Sequence, residues 1–189
     1  MDLTPWRLMS STDIVSDRWM RLRADTCIGP GDFVITPYYV VEERDWAQIF
    51  ALGDDGHLLL ISQYRHAAQT VCLELPGGIV DEGETALDAA QRELREETGH
   101  IANDWAAAGS FYANPARQTN NVHVFIATGL TEISGQALDP GEAVAVHRCK
   151  PCDVPARIAT GEFSQGLHIA SFFLCAQQLG LLPDLTLPG

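Results

Sequence analysis

Residues 92 to 99, Arg-Glu-Leu-Arg-Glu-Glu-Thr-Gly, place three carboxylates, Glu93, Glu96 and Glu97, within five positions beside Arg92. In a helix, residues three and four apart share a face, so all three acids can point the same way. Like charges at that spacing cost a helix roughly a few tenths of a kcal/mol per pair. A divalent cation such as Mg²⁺ offsets that repulsion, because it needs several hard oxygen ligands around one point. A solvated acidic helix face is the other reading of the same run. The flanking residues bound the helix. Thr85-Ala-Leu-Asp88 is a capping-box-like start, and Gly99 suits the left-handed residue that ends a helix. Leu87, Ala90 and Leu94 recur at i, i+3 and i+7 as an apolar stripe, with Glu93 and Glu97 flanking it on the side away from Ala89. Before the helix, Pro76-Gly77-Gly78 forces a turn and lets backbone approach a ligand closely. The segment therefore reads as strand, glycine loop, short helix.

Gly78, Glu84, Arg92, Glu93, Leu94, Glu96, Glu97 and Gly99 fit the spacing G-x5-E-x7-R-E-U-x-E-E-x-G, where U is aliphatic. This resembles the Nudix box, the signature of hydrolases that cleave a nucleoside diphosphate linked to another moiety. Eight positions match, so coincidence is a poor account. His100 stands where that family usually has an aliphatic residue. Gln63-Tyr64-Arg65 and Glu74-Leu75-Pro76-Gly77-Gly78 resemble the segment before the box in ADP-ribose and ADP-sugar pyrophosphatases. Pro115, sixteen residues after Gly99, matches a proline those enzymes tend to carry. Asn114 to Asn121 lacks the glycine-rich, acid-containing loop often seen there. The N-terminal segment resembles the extra strands through which such enzymes pair into dimers.

Composition sets outer limits. With 46% hydrophobic and 20% charged residues the 189-residue chain is globular, most simply one domain with a small N-terminal appendage. A net charge of −13 argues against nucleic acid as the main partner, since phosphate neutralisation needs clustered Lys and Arg. An acidic protein that acts on phosphates recruits cations locally. No apolar run approaches the roughly 18 residues that span a bilayer. The start shows no basic region followed by an apolar stretch, so the expected compartment is the cytoplasm. Cysteines at 27, 72, 149, 152 and 175 are odd in number and scattered, which does not suggest a disulfide framework. Cys149-Lys-Pro-Cys152, with His147 just before it, lacks a second pair to complete a zinc site and is read as incidental.

Along the chain, the first 35 or so residues read as two or three strands with a turn at Gly29-Pro30-Gly31. Strands are expected over 33–41, 46–51, 58–63 and 71–75, with Gly53-Asp54-Asp55-Gly56 a hairpin signal. Beyond the box, 106–112, 121–127 and 143–148 read as strands. Helices are expected over 154–160 and 164–179, the latter ended by Gly180 and Pro183. No repeats appear. This mixture indicates an α+β class. The resemblance implies an α/β/α sandwich with a mixed central sheet, divided as a β extension over 1–40 and a hydrolase domain over 41–185.

The resemblance also implies roles. A pyrophosphate transition state spreads charge over phosphoryl oxygens, so catalysis is mainly positioning and cationic stabilisation. Mg²⁺, or Mn²⁺ in its place, would be held by Glu93 and Glu97 with the carbonyl of Gly77 and sometimes Glu96. Arg92 lies four residues before Glu96 and within reach of Glu84, and is read as an orienting partner for carboxylates. Gly78, Glu84 and Gly99 shape the motif. Glu142, in Asp139-Pro140-Gly141-Glu142, is the candidate general base, and Glu96 is its rival. Arg65, and less directly Arg117, are candidates for contacting substrate phosphate or ribose. Trp46 or Tyr38 could stack on a base, although strand aromatics are more often core. His123 reads as a packed or edge histidine. The expected activity is Mg²⁺-dependent cleavage of a nucleotide sugar such as ADP-ribose by a homodimer. A nucleoside triphosphate pyrophosphatase of house-cleaning type and a nucleotide-sensing domain are the alternatives.

Overall fold

The computed structural model describes residues 4–133 and 135–182. Pro183 and the end of the expected hydrolase domain at 185 lie outside the described residues. Contacts divide the chain into two compact units, 1–44 with 112–121, and 45–111 with 122–189. The segment around Pro115 thus clusters with the N-terminal residues.

The first unit is a three-stranded antiparallel sheet in order β1 (Arg7–Ser16), β2 (Arg21–Ile28), β3 (Val34–Glu42). Register shifts interrupt both pairings, between Leu8 and Ser10, Asp13 and Val15, and Asp25 and Cys27. Such bulges twist strands and break their alternation, which is why the sequence pattern there is loose. Asp25 is buried and accepts from Ser11 Oγ (2.6 Å) and Arg23 Nε (3.1 Å). The 112–121 segment is tied to β3 by backbone, with Val41 N donating to Arg117 O (2.8 Å). Tyr38 donates its hydroxyl to Ala116 O (2.6 Å) and meets Trp6 edge-on at 5.7 Å.

Among the described residues the second unit holds two sheets and three α-helices. One sheet runs β10 (Val144–Cys149), β5 (Leu58–Arg65), β6 (Thr70–Glu74), all antiparallel. The other runs β7 (Gly77–Ile79), β4 (Trp46–Ala51), β9 (Asn121–Glu132), β8 (His100–Tyr112). There β4 pairs antiparallel with β7 and parallel with β9, so this sheet is mixed. The Gly53–Gly56 turn closes with Gly53 N donating to His57 O (2.9 Å), as its residues indicated. Strands β8 and β9 run longer than their apolar runs suggested, because polar residues continue the ladder past the core.

Strand β4 organises the layers. Its residues from Ala47 to Ala51 are all buried, the continuous apolar run expected of a strand covered on both faces. Ala47, Ile49 and Ala51 pack with Ala89, Ala90 and Leu94 of helix α1 (Ala86–Thr98). Gln48 accepts a hydrogen bond from Ser171 Oγ (2.6 Å) of helix α3 (Gly166–Gln178), and Phe50 meets Phe172 at 5.9 Å between centroids. Alternate strand residues point to opposite faces, so α1 and α3 cover opposite sides of the sheet, as in an α/β/α sandwich. Helix α2 (Val154–Ala159) is one short turn-and-a-half after a 3₁₀ turn. Among the described residues no helix is long and apolar enough to cross a membrane.

Candidate metal and phosphate site

Helix α1 begins and ends where its residues require. Thr85 Oγ1 accepts from Asp88 N (3.1 Å), while the Asp88 carboxylate accepts from Thr85 N (3.3 Å), a complete capping box. Gly99 closes the helix at φ 72°. One expectation is corrected. Leu87 is 36% exposed, and Ala89 is fully buried instead. Ala89, Glu93 and Glu97 fall four residues apart on one row, so the acids lie on the same side as Ala89, along the edge of the buried face. The sheet accepts the small alanine and leaves the leucine at the rim.

That row brings two acids onto the glycine loop. Glu97, only 6% exposed, accepts a hydrogen bond from the Gly77 amide through Oε2 (2.8 Å). Glu93 lies so close to Gly78 that a Cβ there would overlap its carboxylate. A Cβ at Gly77 would overlap the Ala47 carbonyl, and its φ of 154° also suits glycine. Both glycines are therefore demanded by close approach.

Arg92 arranges the remaining acids. Nε and Nη2 donate to the two oxygens of Glu84 (both 3.0 Å), and Nη2 also donates to Ile79 O (2.9 Å). Nη1 donates to Glu93 Oε1 (2.7 Å) and Glu96 Oε2 (3.3 Å). All five N–H groups of the guanidinium are thus occupied. The hydrogen bond from Arg92 lowers the Glu84 pKa, and the same bond foremost raises that of Arg92.

The deeper acids behave differently. Burial, helped by the charges of Glu93 and Glu142, pushes Glu97 up to about 8 against the pull of the Gly77 amide. Burial likewise raises Glu93 despite its bond to Arg92. Glu142 is exposed, yet its charge reaches both. The segment before it is laid along the end of α1: Ala137 N donates to Glu96 O (2.9 Å) and Gln136 Nε2 to Glu97 O (2.6 Å). Gln136 thereby satisfies an otherwise open helix-end carbonyl, a contribution the sequence reading missed, since no spacing rule links a loop amide to a helix 39 residues away.

Arg65, at the end of β5, pairs with Glu74 and lies close enough to Glu97 for their charges to interact. Arg117 belongs to the other unit, where its amide donates to Asn114 O (2.9 Å). Trp46 is half-buried at the start of β4, and His123 Nε2 meets Asp45 Oδ2 at 2.8 Å on β9. Cys149 is buried and Cys152 exposed, neither in a disulfide. A surface cavity of about 420 Å³ lies on the solvent side of α1 by Gln91, Arg95 and Trp105, and neither Glu93 nor Glu97 lines it.

The donor set suits a hard divalent cation. Among the described residues no three acid, imidazole or thiolate groups converge on one point. Mg²⁺ does not require such a cage: it keeps several waters and binds through one or two carboxylates plus substrate phosphates. Glu93 and Glu97, beside the half-buried backbone of Gly77 and Gly78, supply that much, and burial is what raises both of their pKa values.

A model for the NUDIX domain matches residues 44–167, and one for the nucleoside diphosphate sugar hydrolase N-terminal domain matches residues 6–41. The chain belongs to the Nudix family. It is 32% identical over 164 residues to a protein named ADP-ribose pyrophosphatase from Mycobacterium tuberculosis, covering 86% of this chain and 79% of that one. A protein of the same name from Bacillus subtilis is 32% identical over 108 residues, 57% of this chain and 58% of the relative. The solved structure of an ADP compounds hydrolase superposes with a TM-score of 0.83 over 95% of this chain and 97% of that one. At 20% identity that likeness speaks for the fold.

Two outcomes follow for this Nudix site. In Gly78→Ala the new methyl must push aside the Glu93 carboxylate that Arg92 holds, so Mn²⁺ affinity, read by paramagnetic resonance, should fall at least about tenfold while circular dichroism shows the fold retained. The second concerns pH without metal. Glu97 has a folded pKa of about 8 against an ordinary 4.5, so its contribution to stability is full below 4.5 and lost as pH rises to about 8. His168, lowered by burial to about 4 from 6.5, acts oppositely only below 6.5. In chelator, the urea midpoint should therefore fall between about pH 6.5 and 8.5, and Mg²⁺ should reduce the fall. A flat midpoint across that interval would mean Glu97 is already ionised at its start.

Proposed function

We propose that this Nudix protein hydrolyses the pyrophosphate bond of a nucleoside diphosphate sugar, with ADP-ribose the first candidate, in the presence of Mg²⁺. The observation that carries the reading is the pair of buried acids, Glu93 and Glu97, set against Gly77 and Gly78 and held by Arg92. The N-terminal match to a nucleoside diphosphate sugar hydrolase domain, and the relatives named ADP-ribose pyrophosphatase, support the substrate class.

In this reading Glu93 and Glu97, with the backbone of Gly77 and help from Glu96, would hold the cation, which when bound would supply Lewis-acid stabilisation of the phosphoryl oxygens and lower the pKa of water. Arg92, with no donor left over, keeps the carboxylates in place and does not touch substrate. Glu142 takes the proton from the attacking water, with Glu96 the alternative base. Arg65 offers its remaining Nη1 edge to a substrate phosphate. The products are a nucleoside monophosphate and a sugar phosphate. Five cysteines without a disulfide support a cytoplasmic setting.

The same reading includes a homodimer. The first unit exposes Leu8, Ile14, Trp19, Phe33 and Val34, each by half or more. So much apolar surface on so small a unit suits an interface with a second copy.

Purified protein with Mg²⁺ and ADP-ribose should yield AMP and ribose 5-phosphate by chromatography. Release of inorganic pyrophosphate from a nucleoside triphosphate, with no cleavage of ADP-sugars, would instead support the house-cleaning reading. Glu97→Gln should lower kcat by a factor on the order of 10³ with the fold intact by circular dichroism. Leu8→Asp with Ile14→Asp should shift the light-scattering mass from dimer to monomer, and a wild type already monomeric would end the dimer reading.

A further inference from the structure

Glu74 is fully buried, and the Nudix chemistry described above makes no use of it. Its Oε1 accepts from Arg65 Nε (3.0 Å), and its Oε2 accepts from Arg65 Nη2 (2.5 Å) and Gln63 Nε2 (3.4 Å). This is the two-point, coplanar arrangement that fixes the plane of a guanidinium. A buried ion pair is weak evidence for stability, because a well-packed apolar side chain of similar volume often serves as well or better. What the carboxylate does that leucine could not is aim Arg65. Among the described residues Nη1 of Arg65 has no partner, and the arginine side chain is 42% exposed.

His168 of α3 stands behind this pair. Its Nδ1 accepts from the Leu75 amide (3.1 Å), so in the neutral ring the proton sits on Nε2, which lies 3.5 Å from Glu74 Oε2. Burial lowers its pKa to about 4, which keeps the ring in that neutral form at neutral pH. One face of the imidazole therefore meets Glu74 and the other holds the backbone two residues before Gly77. From there Pro76 O accepts from Ile49 N (2.9 Å) and Gly77 N donates to Glu97. A single ring thus connects the arginine and the glycine loop.

We propose that Glu74 and His168 are positioning residues for the diphosphate of the substrate: Glu74 orients Arg65 toward phosphate, and His168 fixes the spacing between Arg65 and the Gly77 loop. The inference rests on Arg65 as a phosphate contact, the reading given above. It goes beyond that reading by making the substrate subsite depend on a helix on the far side of the sheet from α1.

The test compares Glu74→Gln, Arg65→Ala and their double variant with wild type, using ADP-ribose turnover and, without turnover, calorimetric binding of ADP as a diphosphate probe. Glu74→Gln should raise KM and the ADP Kd about tenfold, while kcat falls far less and Mn²⁺ affinity holds. In the Arg65→Ala background the same change should add little, since the two act as one unit. His168→Asn keeps an acceptor for the Leu75 amide but does not reach Glu74; it should weaken ADP binding and spare Mn²⁺. His168→Leu loses both contacts and should weaken both. A folded Glu74→Gln protein with unchanged ADP affinity would overturn the proposal. So would an equal loss in the presence and absence of Arg65, or His168→Leu with wild-type Mn²⁺ affinity. Failure of the wild type to cleave any ADP-sugar would count against the substrate reading, leaving the ADP and Mn²⁺ comparisons to judge this one.

Discussion

Arg92 commits every N–H it has. Its five donors are shared among Glu84, Glu93, Glu96 and the Ile79 carbonyl, so one side chain joins the loop before α1, the middle of the helix and the end of β7. Three carboxylates within five helical positions would repel one another if left in water. One planar, permanently charged group shared by two of them, Glu93 and Glu96, and by Glu84 makes that part of the arrangement tolerable and rigid together. A lysine, with three donors on a flexible stem, could not reach the same partners. The remaining features of the site presuppose this: the acids must be held before the glycine loop can be fitted to them.

Held acids are not neutralised acids. Arg92 reaches Glu93 but not Glu97, and Glu97 is the more buried of the two. The single amide of Gly77 does not outweigh that burial, and the carboxyl stays protonated at pH values where an exposed glutamate would be ionised. Under the proposed function a divalent cation bound here would displace that proton, so cation affinity and proton release would be two aspects of the same burial penalty.

The box was legible because its physics is local. Thr85 with Asp88, Gly99, and the i, i+4 row through Glu93 and Glu97 are settled within a few turns of chain, and the structure shows each contact. Leu87 misled because periodicity identifies an apolar stripe without saying which edge of it the sheet will accept. The link from His168 to Glu74 spans 94 positions, and that from Gln136 to the helix end spans 39. Nothing in local spacing announces such pairs. The N-terminal strands were read only loosely because bulges shift the alternation on which such reading depends, and the grouping of 112–121 with them is a matter of chain return.

The alanines between α1 and β4 carry a further meaning. Ala47, Ala51, Ala89 and Ala90 are all fully buried where the helix lies on the strand. Between surfaces that small, the helix axis rides low on the sheet, and the reach of a glutamate side chain is enough to touch Gly77. The gap across which the acids meet the loop is therefore gauged by methyl groups. A bulkier side chain at any of these four positions would act as a shim, lifting the entire row of acids without altering one of them. The tolerance of the acid row is in this sense written in residues that have no chemistry of their own.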